Sequence, residues 1–301
     1  MINKLTGLVT GICGLTLLIS CGEPTANETP KAEEKKDSAM SVRTTGGVEK
    51  LDPSFDNIIE PGTAVEILTE GFDWSEGPLW ISGGNYLLFS DIPPNKIYKW
   101  SEADGLQDYL HPSGYTGITP RGGEPGSNGL LLDKEGRLVL CQHGDRRMAR
   151  MDAPLDSPEA KFVTLAYQFM GKRLNSPNDA VFKSNGDLYF TDPSYGLEKR
   201  EEDPGKELPF KGVYRVKPDG MVDLLTKDIK WPNGIAFSPD ESKLYVASSD
   251  PDKAIWMVYD VDAKGGIKNG RIFYDCTEAS KKEKGVPDGM KVDKQGNVFG
   301  T

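Results

Sequence analysis

The chain has 301 residues and a formal net charge of −10, with 46 acidic residues against 36 basic ones. This acidity, without a basic patch, argues against nucleic acid and other anionic partners. Only 2 histidines and 4 cysteines occur, and no CxxC, HExxH, GxSxG, Walker A or GxGxxG motif is present. Zinc knuckles, three-histidine zinc sites, α/β-hydrolase nucleophile elbows and the common nucleotide-binding loops are therefore excluded. Any chemistry must depend mainly on oxygen ligands.

The N-terminal segment predicts a targeting signal. Lys4 supplies a positive n-region, and residues 5–19 form a short apolar h-region. The segment ends in LISC, with the cysteine at Cys21, and this ending resembles the lipobox of bacterial lipoproteins. The resemblance implies a signal peptide over residues 1–20, a lipid on Cys21 as the sole membrane attachment, and a domain in the periplasm or at the cell surface. An ordinary signal peptide or an uncleaved membrane anchor is the alternative.

The next segment, residues 21–50, is charged and has no aromatic side chain. Such a composition cannot bury enough apolar surface to fold, so we interpret it as a disordered tether. The remaining residues, 51–301, are long enough for one large domain.

From Glu76 onward the sequence repeats one pattern. An oxygen-bearing residue precedes a short apolar strand, a polar turn and a second strand, as in NDAVFKSNGDLYF from Asn178 and NGLLLDKEGRLVL from Asn128. The five repeats begin 52, 50, 55 and 55 residues apart, and we call their first residues the heads: Glu76, Asn128, Asn178, Asn233 and Asp288. This period, without long helical periodicity, predicts an all-β propeller with one blade per repeat.

Rotation about the propeller axis relates equivalent positions, so the heads should lie together near the channel mouth. Independent turn caps are the alternative, because Asn and Asp are common turn residues. Glu76 fits that alternative poorly. Two carboxylates with neighbouring amides suit one divalent cation, calcium first, and Mg²⁺, Mn²⁺ or Zn²⁺ could bind the same set less selectively.

The chain ends at Thr301 inside the second strand of the fifth repeat. Because an unfinished propeller leaves an open sheet edge, we expect a truncated chain that lacks roughly 50–60 residues, about one repeat period. A five-bladed domain closed by a strand near residues 64–68 is the alternative.

Four segments, in this order, resemble the signatures of the gluconolactonase and regucalcin (senescence marker protein) family: SEGPLW from Ser75, SPND from Ser176, WPNG from Trp231 and VPDGM from Val286. The resemblance runs from about residue 63 to residue 301. It implies a six-bladed β-propeller, here with the last blade missing from the chain. It also implies a metal-dependent lactonase, a carboxylic ester hydrolase that acts on a sugar lactone.

The same resemblance implies roles for the heads. Glu76, Asn233 and Asp288 match the metal ligands, and Asn178 matches an asparagine at the metal, bound directly or through water or substrate. We expect the cation to polarise the lactone carbonyl while water attacks it, with Asp288 as the catalytic residue that directs the water and takes its proton.

Further candidates contact the substrate. Asn128 and Asn178 are the candidates among the heads. The segment CQHGDRR resembles the bacterial branch of the family and adds His143 and Arg146. A surface or packing histidine and a solvated arginine are the alternatives. The animal branch has an arginine where this chain has Ser176. This difference leaves the identity of the sugar substrate open. We assign no chemistry to the Gly-rich loop that contains Glu124.

Two other functions stay open from the sequence. A phosphotriesterase similar to diisopropyl fluorophosphatase could use the same metal site, since a cation polarises P=O as it does C=O. A non-catalytic calcium- or glycan-binding propeller is the second alternative, because propellers host many functions. The oligomeric state is open as well.

Overall fold

The computed structural model describes residues 42–283 and 285–301. The predicted signal peptide, Cys21 and most of the predicted tether lie outside these residues. The chain divides into two units, Met1–Leu68 and Thr69–Thr301. The described part of the first unit contains the 3₁₀ helix η1 (Pro53–Asn57), where the Asp52 side chain accepts a hydrogen bond from the backbone N–H of Ser54.

The second unit consists of consecutive antiparallel sheets, each ordered as in the sequence. The first sheet contains β1 (Ser75–Ile81), β2 (Tyr86–Asp91), β3 (Lys96–Ser101) and β4 (Gly105–Leu110). The second contains β5 (Ser127–Leu132), β6 (Leu138–Gln142), β7 (Arg147–Met151) and β8 (Phe162–Ala166). A small hairpin follows, made of β9 (Gln168–Phe169) and β10 (Lys172–Arg173).

The third sheet contains β11 (Ala180–Phe182), β12 (Leu188–Asp192), β13 (Gly212–Val216) and β14 (Val222–Thr226), with the 3₁₀ helix η2 (Arg200–Glu202) between β12 and β13. The fourth contains β15 (Pro232–Phe237), β16 (Lys243–Asp250), β17 (Lys253–Val261) and β18 (Ile267–Asp275). The short helix α1 (Thr277–Ser280) then leads to the paired strands β19 (Met290–Val292) and β20 (Val298–Gly300). No helix in the described residues is long and apolar enough to cross a membrane.

The first strand of each sheet contacts the first strand of the next: β1 with β5, β5 with β11, β11 with β15, and β15 with β19. Sheets that meet in this way through their first strands, with later strands successively farther out, form a β-propeller. The prediction of an all-β propeller is confirmed.

The core lies between neighbouring sheets. On β12, Phe190 packs in a cluster with Val139 and Tyr214, whereas the adjacent Tyr189 packs in a cluster with Ile235 and Val246. Successive strand residues point to opposite faces, so one strand contributes to the packing on both sides of its blade. Burial of each such side chain stabilises the fold by roughly 1.5–3 kcal/mol. This packing fixes the angle between blades and therefore the positions of the heads.

Candidate metal centre

The five heads line one cavity of about 220 Å³. Its walls contain, among other residues, Glu76, Asn128, Asn178, Asn233 and Asp288. The three amide side chains belong to residues that are no more than 7% exposed, and the two carboxylate residues are half-buried. The structure therefore brings together the residues that the repeat pattern placed at one end of the propeller.

Backbone contacts between blades hold the heads side by side. The N–H of Gly129 donates to the carbonyl of Asn178 (2.8 Å), and the N–H of Gly234 donates to the carbonyl of Asp288 (3.1 Å). Gly77 has φ +57°, and a Cβ there would lie 2.2 Å from the Asn128 carbonyl oxygen. Glycine after the head is therefore a steric requirement at this blade junction.

The residue after the third head has a different role from the head itself. Asn178 faces the cavity, whereas the Asp179 carboxylate accepts hydrogen bonds from the N–H of Ile235 (3.1 Å) and from the N–H of Ala180 (2.9 Å). Ile235 belongs to the next blade, so Asp179 joins two blades. At this strand head, the Asn178 amide therefore lines the cavity, and the Asp179 carboxylate has a structural role.

A second buried carboxylate shapes the segment before Asn178. The two oxygens of Asp192 accept hydrogen bonds from the N–H groups of Asn175 and Ser176, each at 2.8 Å. The N–H of Asn178 then donates to the Thr191 carbonyl at 2.9 Å. These bonds fix the backbone that presents the Asn178 amide.

The cavity concentrates negative charge. Burial, followed by the charge of Asp288, raises the pKa of Glu76 to about 7, and a hydrogen bond from Trp74 opposes this shift. That bond joins the Trp74 indole Nε1 to Glu76 Oε1 at 3.1 Å. Burial also raises the pKa of Asp288; the charges of Asp179 and Glu124 act in the same direction, and a hydrogen bond from Asn233 opposes them. A bound cation would relieve this repulsion.

The donor chemistry fits a hard cation. The cavity offers the carboxylates of Glu76 and Asp288 together with the amide side chains of Asn128, Asn178 and Asn233. The Asn233 amide nitrogen donates to Ser249 Oγ at 2.9 Å, and the Asn233 side chain also bonds Asp288. The amide oxygen of Asn233 is then the atom suited to a cation. Calcium accepts this mixture of carboxylate and amide oxygens in flexible numbers.

Two loops to which the sequence assigned no chemistry complete the cavity. Glu124 comes from the loop between β4 and β5, and Tyr195 and Arg200 come from the loop between β12 and β13. The Tyr195 ring stacks on Trp231, with centroids 5.2 Å apart, and burial raises its pKa to about 12. These residues lie outside the repeat, so its register gave no signal for them.

The last two predicted substrate contacts lie elsewhere. His143 is fully buried, and its Nδ1 lies 3.4 Å from the carboxylate of Glu124. The buried Arg146 donates from Nε to the Leu174 carbonyl (2.8 Å) and from Nη1 to the Gly205 carbonyl (2.7 Å). Neither side chain lines the cavity. In this structure His143 lies behind Glu124, and Arg146 braces loops because backbone carbonyls already bind its guanidinium.

The fold and the oxygen-lined cavity define a β-propeller with a candidate cation site at its strand heads. Residues 74–301 match the model of the SMP-30/Gluconolactonase/LRE-like region. The chain belongs to this family.

Two relatives and one solved structure illustrate the similarity. A gluconolactonase of Zymomonas mobilis is 39% identical over 279 residues, which cover 91% of this chain and 77% of the relative. The pentonolactonase XacC of Haloferax volcanii is 25% identical over 238 residues, which cover 79% of this chain and 69% of the relative. The solved structure of a gluconolactonase from Xanthomonas campestris has a TM-score of 0.66 and 30% identity, and the match covers 79% of this chain and 73% of that chain.

Proposed function

We propose that this protein hydrolyses a sugar lactone with the help of one divalent cation, calcium first, bound by Glu76, Asn178, Asn233 and Asp288. The observation that carries the proposal is the convergence of the five heads on one cavity. Two of these heads are carboxylates whose pKa values are raised, and groups with shifted pKa values cluster at functional sites. The names of the relatives, gluconolactonase and pentonolactonase, support a lactone as the substrate class.

The described side chains divide the work. A bound divalent cation supplies Lewis acidity toward the carbonyl oxygen. Glu76 and Asp288 balance its charge, and Asn178 and Asn233 supply neutral oxygens. Asp288 takes the proton of the attacking water, because its half-buried carboxylate lines the same cavity as the other heads. Asn128 holds the substrate from the neighbouring blade.

The test is hydrolysis of glucono-δ-lactone by the purified protein. The activity is measured in chelator and again after calcium, magnesium, manganese or zinc is restored. We expect turnover that requires a metal, with the restored rates giving the order of the metals. A melting temperature that rises with calcium, without turnover of the lactone, would contradict the lactonase and favour a binding propeller. Turnover of a phosphotriester with no turnover of the lactone would favour the phosphotriesterase alternative.

We also propose that residues 1–20 are a lipoprotein signal peptide and that a lipid on Cys21 anchors the protein in the cell envelope. The support is the order of a positive residue, a short apolar run and LISC in the sequence. Residues 21–50 would then connect the membrane to the propeller in the periplasm or at the cell surface. Metabolic labelling with a fatty acid tests this proposal. Label should appear in the wild-type protein and be absent from Cys21→Ala, and label in both would contradict it.

A further inference from the structure

We propose that Glu124 accepts a hydrogen bond from a hydroxyl group of the substrate and thereby makes the site select polyhydroxylated lactones over alkyl lactones. In this proposal His143 is a positioning residue that acts through Glu124. The inference deepens the proposed function and rests on it. It assigns a role to a loop that the repeat pattern leaves without one.

The first observation is the position of Glu124. Its side chain lines the same cavity as Glu76 and Asp288. Among the described residues, these three carboxylates line the cavity. It does not belong to the five heads, because the loop between β4 and β5 carries it. With the lactone carbonyl at the heads, as proposed above, a carboxylate on the wall is placed to contact hydroxyl groups of the sugar ring.

The second observation is the support behind Glu124. His143 is fully buried, with Nδ1 3.4 Å from Glu124 Oε2, and neither ring nitrogen has a hydrogen-bond partner in the described part of the chain. A buried ring N–H without a partner is unfavourable, so Glu124 is the acceptor that this histidine has within reach. Gly196 packs directly on the ring, since a Cβ there would lie 2.6 Å from His143 Cγ. The histidine is therefore fixed in place.

The third observation is a second charged neighbour of Glu124, the guanidinium of Arg200. Arg200 Nη2 lies 3.4 Å from Glu124 Oε1, and the Arg200 side chain is 64% exposed at the rim of the cavity. His143 and Arg200 thus approach different oxygens of one carboxylate. An ionised carboxylate has about four acceptor positions, so both contacts leave acceptor capacity for a ligand hydroxyl. An alkyl lactone has no hydroxyl group to donate, and the contact therefore distinguishes the two substrate classes.

The experiment compares kcat/KM for glucono-δ-lactone and δ-valerolactone in the wild type, Glu124→Gln and His143→Phe. For Glu124→Gln we expect a fall of about 30–100-fold on glucono-δ-lactone and a change of less than about twofold on δ-valerolactone, because a site loses discrimination when its partner for a substrate hydroxyl is removed. His143→Phe should shift the same ratio by about 5–10-fold, since it loosens the carboxylate without removing it. A purely structural role of His143 would lower both rates together.

The matched control is Glu198→Gln. Glu198 lies beside the same wall, 3.7 Å from Arg121 Nε, but does not line the cavity. It should leave the substrate ratio unchanged. Calcium should still raise the melting temperature of Glu124→Gln, which shows that the variant is folded and binds metal.

Three results would overturn the inference. Equal losses on both lactones in Glu124→Gln would make the residue structural or catalytic, and no loss on either would remove it from the substrate contacts. In both cases wild-type turnover leaves the proposed function intact. Absence of turnover of both lactones by the wild type would contradict the proposed function and this inference together.

Discussion

Two parts of the cavity are built in different ways. The ring consists of the five heads, and hydrogen bonds between backbones of neighbouring blades hold it. The loop wall consists of Glu124, Tyr195 and Arg200, and the Arg200 side chain is 64% exposed. Ring side chains sit on a rigid scaffold, whereas loops on such a scaffold vary without loss of the fold. This difference agrees with our proposals, which place the reaction chemistry in the ring and the choice of substrate in the loop wall.

The largest expected effect is on the ring. In the proposed mechanism, Asp288→Asn keeps the size of the side chain but removes a charge that balances the cation and the acceptor for the water proton. We expect kcat/KM for glucono-δ-lactone to fall by about 10³-fold, within the range for removal of a general base. Asp252→Asn is the control, because that side chain is 87% exposed. Activity of Asp288→Asn within tenfold of the wild type would contradict a catalytic ring.

The second prediction concerns the backbone that holds the ring. Gly77→Ala combines a positive φ with a Cβ 2.2 Å from the Asn128 carbonyl, so we expect a loss of about 3 kcal/mol in the free energy of unfolding. Gly136→Ala is the matched control, since its φ is +76° but no atom lies within 4 Å of the added Cβ. It should cost about 1–2 kcal/mol. Denaturant unfolding measures both, and equal losses would show that the blade contact is not important.

A third prediction tests whether Arg146 braces the loops or contacts the substrate. Arg146→Lys cannot reproduce the bonds to the carbonyls of Leu174 and Gly205, so stability should fall by about 2 kcal/mol while KM changes less than about twofold. Thermal unfolding and steady-state kinetics separate these effects. An increase of KM above tenfold with unchanged stability would restore Arg146 as a substrate contact.

The smallest expected effect concerns Trp74, which lines the cavity and donates a hydrogen bond to the head Glu76. Trp74→Phe keeps an aromatic ring at the rim and removes the indole N–H that donates to Glu76. Loss of one such bond should weaken calcium binding by about threefold to tenfold, as measured by calorimetry. Trp80→Phe is the control, because Trp80 is similarly exposed, at 50%, but does not line the cavity. Equal calcium affinity in both variants would mean that the indole does not orient Glu76.

The ring could be read from the sequence because the repeat register relates Glu76, Asn128, Asn178, Asn233 and Asp288 by rotation. A residue in one repeat therefore predicts the location of its equivalents. No such relation exists for Glu124 and Tyr195, whose positions depend on how two loops fold over the cavity. The same limit applies to Arg146 and His143, because a motif in the sequence does not show burial or the local partners that decide what a side chain contacts.

The most direct test of the account is the location of a bound cation. A crystal of the protein prepared with Mn²⁺, which scatters anomalously, would place the metal independently of any activity. We predict one strong anomalous peak in the cavity, at about 2–2.5 Å from carboxylate oxygens of Glu76 and Asp288 and from amide oxygens of Asn178 and Asn233. A metal bound elsewhere, with the ring occupied only by water, would contradict the central claim.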